Sequence, residues 1–289
     1  MRRANIIEKD TIQIKTVENL TGVFESIASN HVAKVKKKVD LSKAFFQLLW
    51  TRYKSIQIDP SKRITNRDLT DKNDKKVFVI ISAGAGLSGD IDQRLIEKML
   101  QDYDEKSTDI IVLGTHGANQ LIQMGIKFKR YFQVPESEDY IDVSPLVEAV
   151  LPYSKIVIYY EEYVSLGVQE IKAIDLISSL RDMSEQGDIE DEEIISEEDT
   201  IFEPSIEEIA DQMEITMMAL ALNQTILESS LAQAASRFSA MAVAKKRASE
   251  MLTDYRFEFY RAKRSESDRR LSEVLVGLKK KRRQTGGLC

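Results

Sequence analysis

The sequence predicts an α/β chain. A long antiparallel coiled coil of N- and C-terminal helices would carry a small Rossmann-like α/β domain between its strands. Three observations predict this. Between Pro204 and Gly277 there is neither glycine nor proline, a stretch of ~72 residues that would span about 108 Å as one helix. From Leu220 the apolar residues of that stretch fall on seven-residue ladders, the pattern of a coiled coil. In mid-chain the period changes to short, unbroken runs of β-rich residues followed by glycines, a βαβ rhythm.

The punctuation divides the chain into an N-terminal helix (1–59), an α/β domain (75–182), an acidic linker (183–204) and a C-terminal helix (205–283). In the first region, Ile14, Val17, Leu20, Phe24, Ile27, Val35, Ala44, Phe45 and Leu48 recur at helical spacing, interrupted only by Gly22. The polar loop Pro60–Asp74 closes the region. Val77–Ser82 and Ile110–Leu113 read as parallel strands buried on both faces. Val143–Leu151 reads as a short helix. Lys155–Val164 and Glu170–Ile177 read as two strands joined at Gly167. Ser184–Glu203 is strongly acidic and reads as a flexible linker. In the last region one ladder is Leu220, Leu227, Ala234, Met241, Ala248, Tyr255 and Ala262. The other is Leu231, Phe238, Leu252 and Phe259, with Lys245 as its polar rung. The alanine rungs admit a close partner, and the N-terminal helix of the same chain is available, antiparallel.

Composition excludes several classes. The net charge is −6, so the chain as a whole is no polycation for coating nucleic acid. The single cysteine, Cys289, rules out an internal disulfide or a cysteine-based metal site. The length of apolar stretches falls short of a membrane span, and the start carries acidic residues and no apolar run, unlike a targeting signal. His31 lies in a helical pattern and His116 in an expected loop. Neither has a second histidine at ligand spacing, so no metal is expected.

Gly84–Gly89 spells GxGxxG between a predicted strand and helix, as a dinucleotide loop would. Two features oppose that reading. The second strand ends Leu113-Gly114-Thr115 without the ribose-binding acid, and Asp90 follows the last glycine, where it would repel phosphate. Gly86 and Gly89 are read as a structural strand-to-helix turn. No phosphate loop and no catalytic triad can be assembled, so no cofactor and no catalytic residue is expected.

The ordered set of short motifs resembles the gamma subunit of F-type ATP synthases, in a divergent bacterial-type form. Ile14–Lys34 (IKTVENLTGVFESIASNHVAK) is similar to the family's I-K-N-T-x-x-I-T-x-A-M run, with Lys15, Leu20, Thr21, Ala28 and Lys34 in register. Gly86, Leu87 and Gly89 match its D-R-G-L-C-G, and Gly114 and Gly117 its G-x-K-G. Glu228–Ala244 (ESSLAQAASRFSAMAVA) is similar to E-S-x-A-S-E-x-A-A-R-M-x-A-M, with Glu228, Ser229, Ala235, Arg237, Ala240, Met241 and Ala244 in place. Leu271–Gly277 resembles the tail L-T-E-I-V-x-G. The departures are Ala85, Ser88, His116, the stretch Ser267–Arg270, Gly22 where the family commonly has a larger residue, and the added KKKRRQTGGLC.

This resemblance implies a central-stalk rotor. It would transmit torque between a membrane c-ring and a ring of alpha and beta catalytic subunits, beside an epsilon subunit, and would catalyse nothing itself. It implies a peripheral location at the cytoplasmic face of a bacterial plasma membrane. Partner-contact candidates are Lys15, Thr21, Lys34, Lys36, Lys37, Arg237 and Met241. Gly22 would let the two helices cross closely, or mark a bend. Two alternatives are an F-type-like ATPase shaft with a role other than ATP synthesis, motivated by the divergent C-terminal signature, and a coiled-coil adaptor with a nucleotide-sensing domain, motivated by GAGLSGD. Neighbouring rotor and stator genes would oppose the first. Calorimetry without NAD or ATP binding would remove the second.

Overall fold

The structure is a computed structural model that describes residues 3–55, 73–84, 86–134, 142–176, 178, 203 and 205–285. The acidic linker 183–204 lies outside the described residues save Glu203, as does Pro60–Asp74 save its last two residues. In order, the elements are α1 (Ala4–Ser55), β1 (Asn73–Ile81), α2 (Ile91–Asp102), β2 (Thr108–Leu113), α3 (Thr115–Gln123), β3 (Arg130–Phe132), α4 (Ser144–Val150), β4 (Tyr153–Ser165), β5 (Val168–Asp175) and α5 (Ile206–Thr285). The chain divides into two compact units, Met1–Ser26 with Met241–Cys289, and Ile27–Ala240.

The larger unit is built on a five-stranded sheet ordered β3-β2-β1-β4-β5. All neighbours are parallel except β4 and β5, which form an antiparallel hairpin. Val77–Ile81 are buried throughout, as a central parallel strand covered on both faces requires. On one face Val77, Val79, Ile81, Ile156, Ile158 and Tyr160 pack with Phe46 and Trp50 of α1, with α4, and with Met217–Ile226 of α5. On the other, Phe78, Ile80, Ile110, Val112 and Tyr159 pack against Leu95, Ile96 and Met99 of α2 and Leu121 of α3. Helices on both faces of a largely parallel sheet make the predicted Rossmann-like layer order. Within this unit α1 and α5 run antiparallel. Lys43 pairs with Glu228 at 3.0 Å, and ten residues further along α1 the Tyr53 hydroxyl donates to Glu214 at 2.7 Å. Val35 and Val39 pack against Leu227 and Leu231.

The smaller unit is a helix pair. Ala4 and Ile7 of α1 pack against Ala262, with Tyr255 and Phe259 beside them. Lys245 reaches Glu25 at 2.8 Å, so this pair is antiparallel too. Met241, Ala248, Leu252 and Ala262 are buried, which is the face given by the two ladders. From Lys263 to Lys280 every residue of α5 is exposed.

The apolar stripe read along α1 is the packing face only in part: Val35 is buried and Ile14 half-buried, but most of it does not pack. Val17, Leu20, Phe24, Ile27, Phe45 and Leu48 are exposed, Ile27 at 55%. The buried positions are Ala4, Ile7 and Thr21 in one unit and Ala28, Val35, Val39, Phe46, Trp50 and Tyr53 in the other. Ala4 packs with Ala262 at one place on this seam, and small residues let two helices approach closely. Thr21 fits because its hydroxyl turns back on the carbonyls of Val17 and Glu18, both at 2.9 Å, and shows its neighbours mainly a methyl group.

Candidate functional site

The order of the sheet places a topological switch at β1, whose neighbours β2 and β4 continue the chain in opposite directions. In open α/β sheets the crevice beyond the carboxyl ends of the strands at such a point is where ligands bind. Residues 82–84 and 86–92, which carry the glycines of the GxGxxG motif, lie at that place. Here the crevice is lined by a helix of the same chain. Ser236 of α5 donates to the Ser88 carbonyl at 2.7 Å, and the Arg237 Nε donates to the Gly86 carbonyl at 3.1 Å. The backbone N–H of Ala83 is taken by the Asp92 carboxylate at 2.8 Å, and the Ser88 hydroxyl donates to the same carboxylate at 3.0 Å. The loop thus offers carbonyl oxygens to cationic and hydroxyl donors of α5. A phosphate would need the reverse, N–H groups free to donate.

The turns around this loop explain their glycines. Gly114 has φ +101°, and a Cβ there would lie 2.1 Å from the Ser82 carbonyl oxygen. The Ser82 hydroxyl donates to the Leu113 carbonyl at 2.9 Å and accepts the Gly117 N–H at 2.9 Å. That second bond occupies a free N–H in the first turn of α3. His116 therefore stands in the first turn of a helix and not in the expected loop, because the chain enters α3 directly from the Gly114 turn. Its Nδ1 lies 3.6 Å from Asp92.

Behind the loop, Glu161 of β4 is fully buried. Ser229 donates to its Oε2 in a short hydrogen bond, and Gln233 donates to the same oxygen at 2.9 Å. Burial, and secondly the like charge of Asp92, push the Glu161 carboxyl up to about 8. Burial lowers the Arg237 guanidinium from its ordinary value, and the Asp92 charge opposes that. Ser229 and Gln233 therefore bind α5 to the sheet, and Ser236 and Arg237 bind it to the loop.

Of the residues singled out in the sequence, the structure brings Arg237 and Gly86 together. Gly89 has φ +74°, with Ser236 and Ala240 near the position of its missing side chain. Lys15, Lys34, Lys36 and Lys37 are exposed on α1, whereas Thr21 and Met241 are buried. Sequence reasoning did not single out Asp92, Glu161 or Gln233. An acid three residues after the last loop glycine, and another inside a run of aromatic strand residues, were the available signals. Among the described residues no three metal-ligating side chains cluster, and no helix is long and apolar enough to cross a membrane.

Comparison with known proteins bears on what this arrangement serves. Residues 5–279 match the family model described as ATP synthase. The chain is 21% identical to the ATP synthase gamma chain of Halothermothrix orenii over 284 residues, covering 94% of this chain and 96% of the relative. It is 23% identical to the ATP synthase gamma chain of Clostridium novyi, covering 92% and 94%. Among solved structures it resembles a chain of the Tetrahymena thermophila mitochondrial ATP synthase central stalk and c-ring. There the TM-score is 0.55 at 14% identity, over 78% of this chain and 99% of that one. A chain of the Euglena gracilis mitochondrial ATP synthase gives TM-score 0.55 at 14% identity, over 91% and 96%. At such identities these two likenesses carry the fold.

Proposed function

Because the chain belongs to the ATP synthase gamma-chain family, we propose that it is the central-stalk rotor shaft of an F-type ATP synthase. The observation that carries this reading is the unpartnered apolar surface of its helices. Val17, Leu20 and Phe24 of α1 are exposed in one unit, Ile27, Phe45 and Leu48 in the other. Leu271, Val274, Leu275 and Leu278 are exposed on α5 beyond its last buried residue. Exposed apolar residues recurring along a helix in this number suit a surface that another protein covers. A ring of alpha and beta catalytic subunits around the helix pair would cover it.

In this reading the chain makes no bonds. Its packed helix pair carries torque, and the α/β unit meets the membrane c-ring and an epsilon subunit. Lys15, Lys34, Lys36 and Lys37 are exposed cations suited to acidic segments of the ring. Arg237 serves the attachment of α5 to the Gly86 loop, and Thr21 and Met241 serve the helix seam. Gly86 and Gly89 shape the turn. The complex would lie at the cytoplasmic face of a bacterial plasma membrane, with this chain peripheral to it. The test is co-expression with the alpha and beta subunits of the same genome. A stoichiometric complex that hydrolyses ATP supports the reading, and a chain that elutes alone under all conditions overturns it.

A further inference from the structure

We propose that Glu161 acts as a proton-operated clamp, which fastens the middle of α5 to the carboxyl ends of β1 and β4, with Asp92 as its neighbouring like charge. The inference stands apart from the rotor reading, since it concerns only how this chain holds its own helix.

Both side chains are nearly or fully buried, Asp92 at 2% and Glu161 at 0% exposure. A buried carboxylate is costly unless it is paired with a cation or amply hydrogen-bonded. Asp92 has two donors, Ala83 N–H and Ser88 Oγ. Glu161 has both of its side-chain donors, Ser229 and Gln233, on Oε2, while Oε1 is buried without a hydrogen-bond partner among the described residues. Each oxygen of Asp92 thus has a donor, whereas Oε1 of Glu161 has none among the described residues. A proton on Oε1 removes the buried charge and leaves both bonds to α5 intact.

The charged groups facing these two carboxylates can be named element by element. From α5, Arg237 bears on Asp92 while its Nε is held by the Gly86 carbonyl. From α3, His116 Nδ1 lies 3.6 Å from Asp92 with its side chain 40% exposed. From β1, only backbone enters: the Ile81 carbonyl accepts from Ser229 at 3.3 Å. The nearby acids Glu162 and Glu228 are engaged elsewhere, with Lys172 at 2.6 Å and Lys43 at 3.0 Å. Among the described residues no ion pair reaches Glu161, and a proton would supply the counter-charge there.

The linkage has a definite sign. The folded-state affinity of Glu161 for its proton exceeds that of an exposed glutamate, with its titration raised to about 8. Stability associated with that proton is fully present below the ordinary carboxylate range. It is lost as pH rises from that range through about 8. Across this window the folded-to-unfolded ratio falls by up to about tenfold per pH unit.

The experiment is thermal or denaturant unfolding of the full chain from about pH 5 to 9, with Glu161→Gln, Asp92→Asn and His116→Gln beside it. Glutamine keeps the acceptor for Ser229 and Gln233 without the charge, so Glu161→Gln is expected to abolish most of the fall. Asp92→Asn removes the like charge and is expected to move the midpoint of the fall to lower pH. That readout keeps the proposal testable if Glu161→Gln fails to fold. His116→Gln subtracts the imidazole, and the fall is expected to persist in it. A fall of unchanged slope in Glu161→Gln, or one that vanishes in His116→Gln alone, overturns the clamp. So does stabilisation by millimolar calcium or magnesium in place of protons.

Discussion

Lys245 passes over Gly22 and ends 2.8 Å from the Glu25 carboxylate. A Cβ built on Gly22 would lie 3.6 Å from the lysine Cε, an ordinary contact. The one polar rung of the α5 ladder is thus accommodated by the one glycine of α1. The lysine stem fills the place a larger residue would take, and its ammonium stays near solvent.

Gly22→Ala is therefore expected to stabilise the chain by up to about 1 kcal/mol, since alanine is the better helix former and nothing has to move. Gly22→Leu would displace the Lys245 stem and lose that gain. Chemical denaturation of the two variants checks the order. A leucine variant as stable as the alanine one would mean the lysine does not depend on this space.

The seam of the smaller unit should be sensitive at Leu252 and insensitive further along. Leu252 is 5% exposed, while Leu275 is 58% exposed. Leu252→Ala should cost about 2–5 kcal/mol. Leu275→Ala should change the stability of the isolated chain by no more than about 0.5 kcal/mol. In the assembled complex Leu275→Ala should nonetheless weaken subunit association, because the proposed partner covers that residue.

Arg237→Ala should cost about 2 kcal/mol, the scale of a hydrogen bond from a charged donor. Hydrogen exchange should rise in residues 86–90, which lose one of their two ties to α5 and keep that from Ser236. Gly114→Ala should be far worse, because a Cβ meets the Ser82 carbonyl at 2.1 Å and φ is +101°. Loss of soluble expression is the expected outcome, and a normally folded Gly114→Ala would contradict the packing described.

Deleting residues 279–289 should leave the fold of the isolated chain unchanged, since α5 makes no buried contact after Ala262 among the described residues. In a complex with the catalytic subunits the same deletion should alter the ATP hydrolysis rate. An unchanged rate would identify the basic extension as passive.

The layer order and the long C-terminal helix were legible because their signals are local. Unbroken runs such as Val77–Ser82 and the seven-residue ladders carry their own period. What was hidden depends on tertiary partners. β3 is three residues long, and only its pairing with Ile111–Leu113 makes it a strand. Along much of α1 hydrophobicity points to Val17, Leu20 and Phe24, which are exposed, although Val35 of the same stripe is buried. The seam instead uses Thr21 and Ala28, whose virtue is small size. Glu161 could not be told from Glu162 in the sequence, although one is fully buried and the other pairs with Lys172 near the surface.

A shaft of this kind turns inside a catalytic ring. That role is tested most directly by attaching a bead to a cysteine placed at the exposed Glu97 of α2, with Cys289→Ser and the alpha and beta subunits fixed to a surface. If the chain is the shaft, the bead rotates in one direction, needs ATP to do so and stops when ATP is withdrawn. A complex that hydrolyses ATP while the bead stays still would contradict that role.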